Sequence, residues 1–228
     1  MEQPQAYAPF VIGVTGHHDL RAEDAQALRA LVGEALKAIR LQCAPRPLLM
    51  LSSLCEGGDQ LCAGVGLALG VAQHAALPMP LPQYAADFKG TAREALYALI
   101  EQCETAFTVP RTELPLPGAP TREALQSDAY RQASLYVAAH CDVLLALWDG
   151  AAHTPNGCGT AETVAAARGS LAVRTADGDA TVLHKPRAVV HILTPRRTRP
   201  RQTVTPGFAL PLWQALGLPP RYPGDTER

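Results

Sequence analysis

Three short stretches concentrate side chains able to hold an anion or a sugar. The first is Gly13-Val14-Thr15-Gly16-His17-His18-Asp19. Gly16 permits a close backbone approach to a ligand. Thr15 offers a hydroxyl, and His17 and His18 can donate to a phosphate or a base. The second runs from Ser52 through Ser53-Leu54-Cys55-Glu56-Gly57-Gly58 to Asp59. Two serines followed by two glycines suit a nest of amides around an anion. The carboxylates of Glu56 and Asp59 suit ribose hydroxyls or a base amine better, and Asp59 also stands where a helix N-cap is expected. The third is Pro155-Asn156-Gly157-Cys158-Gly159-Thr160-Ala161-Glu162. Here Gly157, Gly159 and Thr160 open a helix whose first amides have no partner and point out along its dipole, which makes a phosphate site. Glu162 lies in the first turn, within reach of a sugar or leaving group.

Two further positions join this set. Asp149 ends the most hydrophobic stretch of the chain, Asp142–Trp148, and is expected to bind a ribose or a base amine. Trp148 beside it reads as a cover for the end of a sheet rather than as a stacking platform, since large aromatics at such ends are usually packed. Arg131 lies on the preceding amphipathic stretch. It is either a solvated side chain or a clamp for a phosphate through charge-assisted hydrogen bonds.

Other chemistries lack their residues. No Lys-Ser/Thr pair follows the glycines, so there is no Walker A loop. There is no GxSxG, no HExxH and no Cys/His zinc spacing, so neither a metal nor a resident cofactor is expected. The six cysteines form no CxxC pair and read as buried free thiols of a reducing compartment.

Strands and helices alternate to position these turns. Apolar runs at Phe10–Val14, Pro47–Leu51, Ala75–Pro80, Ala106–Val109, Asp142–Trp148 and Ala188–Leu193 read as strands. Between them, helices are predicted over Glu23–Arg40, Gln60–Val71, part of Tyr84–Cys103, Thr121–His140 and Thr160–Arg168. A hairpin around Asp177-Gly178 is predicted between Leu171–Arg174 and Thr181–His184. This order implies an α/β, Rossmann-like three-layer sandwich with a mostly parallel central sheet, whose ligands bind beyond the carboxyl ends of the strands. The predicted domain covers residues 1–194. Pro195–Pro206 reads as a solvated Pro/Arg-rich linker and Gly207–Arg228 as a tail docking through Phe208, Leu210, Leu212, Trp213 and Leu216.

The 228 residues are 47% hydrophobic with a net charge of −1, so no global field draws the chain to nucleic acid or membrane. The bases Lys185, Arg187, Arg196, Arg197, Arg199, Arg201 and Arg221 nonetheless crowd one stretch that contains no acid. Without interleaved aromatics they read as a solvated face rather than a nucleic-acid grip. No apolar run reaches the roughly 18 residues of a membrane span, and the polar N-terminus does not resemble a signal peptide, so a cytoplasmic location is expected.

In order along the chain, Val14–Leu20 (VTGHHDL), Ser52–Asp59 (SSLCEGGD), Asp142–Gly150 (DVLLALWDG) and Gly157–Glu162 (GCGTAE) resemble the SLOG superfamily, in particular its small bacterial stand-alone members. That group includes the Lonely Guy phosphoribohydrolases and DNA-processing protein A. The resemblance covers about residues 10 to 195. It implies a nucleotide-type small-molecule partner and a homodimer or higher homo-oligomer. Against the Lonely Guy signature PGGxGTxxE, Pro155, Gly157, Gly159 and Thr160 match in register. Asn156 replaces a glycine, Thr163 stands at the glutamate position, and Glu162 precedes it by one residue. The resemblance therefore implies binding or sensing of a phosphorylated nucleotide derivative first. Hydrolysis of an N-glycosidic bond in a nucleoside 5′-monophosphate, through Glu162 and Arg131, is the alternative. Single-stranded DNA binding is a second alternative.

Overall fold

The structure is a computed structural model that describes residues 7–110, 121–151, 159–169, 173–174, 180–181, 186, 188–199 and 204–217. A seven-stranded sheet with strand order β4-β3-β2-β1-β5-β8-β9 forms its middle layer. The strands are β1 (Phe10–Gly16), β2 (Leu48–Ser52), β3 (Ala72–Leu77), β4 (Thr105–Thr108), β5 (Val143–Trp148), β8 (Ala188–Leu193) and β9 (Gly207–Phe208). The first six are mutually parallel, and β9 runs antiparallel to β8. The expected hairpin is a separate antiparallel pair, β6 (Val173–Arg174) with β7 (Ala180–Thr181).

The continuous hydrophobicity of β5 follows from burial on both faces. Val143, Leu145 and Leu147 pack on one side with Leu28, Val32, Leu36 and Ile39 of α1 (Ala25–Cys43). Leu144, Ala146 and Trp148 pack on the other with α5 (Arg122–Ala139) and α6 (Thr160–Ala167). This alternation is the period of two that a strand imposes on its side chains. α2 (Gly58–Ala68), the short α3 (Leu81–Ala85) and α4 (Gly90–Ile100) complete a third cluster around Tyr84, Phe88 and Leu96 toward the β4 edge. Among the described residues no helix is long and apolar enough to cross a membrane.

The segment after β8 departs from the expected solvated linker. Residue 196 bridges Leu20 in an antiparallel contact, and Arg197 N donates to Asp19 O at 2.8 Å. Arg196 Nε donates to Asp19 Oδ1 at 2.8 Å, and the Thr198 hydroxyl also donates to Asp19. Asp19 is buried, and a buried carboxylate must find cations or donors. That requirement draws 195–199 onto the first turn. Farther on, Phe208, Leu212 and Leu216 dock on the α1 side of the core as expected, where α7 (Leu212–Ala215) begins at Leu212. Leu210 and Trp213 remain exposed.

Candidate functional site

Strand order reverses direction between β1 and β5, and ligands of open α/β sheets bind at such a switch point. A cleft of about 310 Å³ lies there, at the small end of ligand-site volumes. It is lined by the ends of β1 (Thr15, Gly16, His17), the turn after β2 (Ser53, Asp59), the end of β5 (Trp148, Asp149) and the start of α6 (Gly159, Thr160, Glu162). Thus residues from all three chemistry-rich turns share one cavity.

Glycines make this convergence possible. A Cβ on Gly16 would stand 2.7 Å from Gly58 Cα, so the end of β1 and the start of α2 touch backbone to backbone. Gly57 has φ +87° and presses on the His17 and His18 carbonyls, while Gly58 N donates to His17 O at 2.9 Å. Gly16 lines the cleft, and its bareness also accommodates Gly58. Gly13 does not line the cleft; a Cβ there would meet Cys141 Sγ at 2.8 Å.

The carboxylates of the site each have a different environment. Asp149 is buried, with Oδ2 3.1 Å from Arg199 Nη1 and Oδ1 3.0 Å from His17 Nε2. Burial holds the His17 imidazole below its ordinary value despite Asp149. In its neutral form Nε2 accepts the Asp149 amide at 3.1 Å. Asp19 is pulled down to about 2: burial raises it, but donors from Thr198 and Arg196 outweigh that. Asp59 goes the other way. Burial pushes it up to about 7, although backbone groups of Cys55, Ser53 and Gly16 hydrogen-bond to it. It is a buried group at the wall of the cleft, and the N-cap expected at Asp59 is instead Gly57.

Glu162 is the fourth carboxylate. It is buried, and its Oε1 accepts from Arg131 Nε at 2.6 Å. Its Oε2 is buried without a hydrogen-bond partner among the described residues. Arg131 is thus neither simply solvated nor free: it crosses from α5 to α6. Thr163, one position farther on, is fully buried and donates its hydroxyl back to Gly159 O at 3.1 Å, which removes it from chemistry. At the start of α6 the first amide bonded within the helix is that of Thr163, to Gly159 O at 3.0 Å, and no described side chain caps the helix. Among the described residues no acceptor pairs with the amides before it, as at any helix start.

Some expected site residues lie elsewhere. Glu56 is exposed and does not line the cleft. Ser52 is buried and accepts the Leu54 amide at 3.1 Å, so its hydroxyl shapes the turn. Gly57 serves the same turn. Gly157 lies outside the described residues. Conversely, Arg196, Arg199, Tyr130 and Ser134 line the cleft without having been expected there. The acid-free arginine cluster was the one signal for the first two. Burial raises the thiols of Cys55 and Cys141 to about 12, so neither is a ready nucleophile. Among the described residues no group of three His, Cys, Asp or Glu could hold a metal ion.

No family model matches the chain, and no curated protein matches it. Among solved structures, the chain is similar to DNA processing protein A from Streptococcus pneumoniae, with 16% identity and a TM-score of 0.40. The match covers 61% of this chain and 41% of that one, so the chain spans about two-fifths of its length. At that level the likeness carries no functional argument, and the fold class rests on the sheet order itself.

Proposed function

We propose that this chain binds a nucleotide or nucleotide-derived phosphorylated ligand in the cleft beyond β1, β2 and β5, as a SLOG-type protein would. One observation carries the reading: residues of three turns rich in small and polar side chains meet at the start of α6, which no described side chain caps, in a cavity of about 310 Å³. The free amides of the first helical turn take the phosphate. Arg199, 45% exposed at its side chain, is placed to add charge there. Asp149 and Glu162 serve the sugar or base.

A second reading, N-glycoside hydrolysis, draws support from the Arg131–Glu162 pair. It brings together the two residue types that the Lonely Guy resemblance calls for, despite the shift of the acid by one position. Glu162 would stabilise positive charge developing on the sugar as the bond to the base breaks. The single-stranded DNA reading finds less support, because no aromatic side chains interleave Arg196, Arg197, Arg199 and Arg201.

Incubation with nucleoside 5′-monophosphates, followed by chromatography for free base, separates the two. Thermal stabilisation without base release supports the binder. Base release that Glu162→Gln abolishes supports the hydrolase. Neither stabilisation nor release across the panel refutes both.

A further inference from the structure

Two residues that line the cleft each carry a buried polar atom with no hydrogen-bond partner among the described residues: Glu162 Oε2 and Trp148 Nε1. One accepts and the other donates. Both residues are more than nine-tenths buried, Glu162 at 4% and Trp148 at 9% exposure. Both lie on the α5/α6 face of the sheet, Trp148 because it is the last inward residue of β5 on that side. A buried acceptor and a buried donor left unsatisfied are each costly. Packing leaves the Trp148 ring little freedom to escape: it lies against His191 at 4.9 Å, with Arg168 over it at 5.8 Å.

From this we infer that the α5/α6 end of the cleft is a specificity subsite for a neutral ligand group that donates to Glu162 and accepts from Trp148. The inference rests on the nucleotide reading and sharpens it. A phosphate does not meet the requirement, since its oxygens offer acceptors where Glu162 calls for a donor. The amide-like edge of a nucleobase does, with an N–H beside a ring nitrogen or carbonyl. A sugar hydroxyl does as well, being donor and acceptor at once. The subsite thus orients the ligand: phosphate toward the start of α6, neutral polar end toward Trp148. Trp148 acts through its N–H, not by stacking.

The indole N–H is directly observable. The chain has two tryptophans, and a Trp213→Phe background leaves the Trp148 N–H as a single indole signal in ¹⁵N–¹H spectra. In that background, adenosine and guanosine 5′-monophosphate should move the signal downfield, while inorganic phosphate should not. Calorimetry should show roughly five- to tenfold weaker binding for Trp148→Phe, which keeps a ring and deletes the donor. Ribose 5-phosphate and purine riboside 5′-monophosphate tell the two sources apart. If the sugar phosphate alone moves the signal, the group is a hydroxyl. If only bases with an exocyclic group do, it is the base edge. Should Trp148→Phe fail to fold, the spectra of the single Trp213→Phe variant still decide. Nucleotide binding with an unmoved Trp148 signal, or an equal shift from inorganic phosphate, overturns the subsite and leaves the nucleotide reading standing. Absence of binding by every compound overturns both.

Discussion

Arg131 Nε donates to Glu162 Oε1 at 2.6 Å and ties α5 to α6. The acid is buried while the arginine side chain is about one-third exposed. Removing the arginine therefore strands a carboxylate more than removing the acid strands a cation. Arg131→Ala should lower stability by about 2 kcal/mol. Adding Glu162→Gln should recover most of that loss, a coupling expected of residues in direct contact. Urea unfolding of the two single variants and the double variant measures it. Additive losses would show that the pair is not energetically joined.

The Gly16–Gly58 contact predicts a sharp asymmetry among α2 glycines. Gly58→Ala puts a methyl 2.7 Å from Gly16 Cα and should destabilise by about 3 kcal/mol. Gly64→Ala, where a Cβ meets nothing within 4 Å, should instead stabilise by up to about 1 kcal/mol through helix propensity. Thermal melts of the two variants give opposite signs if the β1–α2 junction is as close as described.

Asp59 and Asp19 should titrate in opposite senses. Asp59 holds its proton up to about pH 7 in the folded state, against 3.8 for the free side chain. Its contribution is full below 3.8 and is lost as pH rises toward and through 7. Asp59→Asn should therefore gain on the parent as pH rises from 4 to 7, with the gap constant above that. Asp19 falls to about 2. Its contribution is present above 3.8 and is lost as pH falls through about 2, so Asp19→Asn should be relatively worst near neutrality. Urea midpoints of each variant against the parent between pH 3 and 8 check both signs.

The strap at 195–199 should be part of the fold. Arg196→Ala should destabilise by about 2 kcal/mol, since it leaves a buried carboxylate to Thr198 alone. Deletion of everything after Thr194 should lower the melting temperature further, because Leu216 leaves the α1/β8 core as well. Circular dichroism melts decide. An unchanged melting temperature for the truncated chain would mean that 195–217 is an appendage.

Local pattern made the central layer and two of the three turns readable, because each strand or helix start advertises itself within a few residues. The helix over Thr160–Ala167 and the strand over Ala188–Leu193 lie where their sequence places them. β9 escaped notice because two residues, Gly207–Phe208, carry no periodicity. β3 starts at Ala72 rather than Ala75 because Gln73, polar by type, satisfies its amide on Val71 O and is buried in the sheet. The site was harder to read. Glu56 and Asp59 share a turn, yet one faces solvent and the other the interior. Only the three-dimensional path of Gly57 and Gly58 decides which. Arg196 reaches Asp19 across 177 positions, and no spacing rule operates at that range.

The nucleotide reading is tested most directly at Ala161, which lies in the first turn of α6 and lines the cleft. Ala161→Glu places a negative charge where a phosphate would sit. At a helix N-terminus the same charge is stabilising, so the fold is preserved. Calorimetric titration of nucleoside 5′-monophosphates should give saturable binding to the parent and none to the equally stable Ala161→Glu variant. Equal binding by both proteins would contradict a phosphate site at the start of α6.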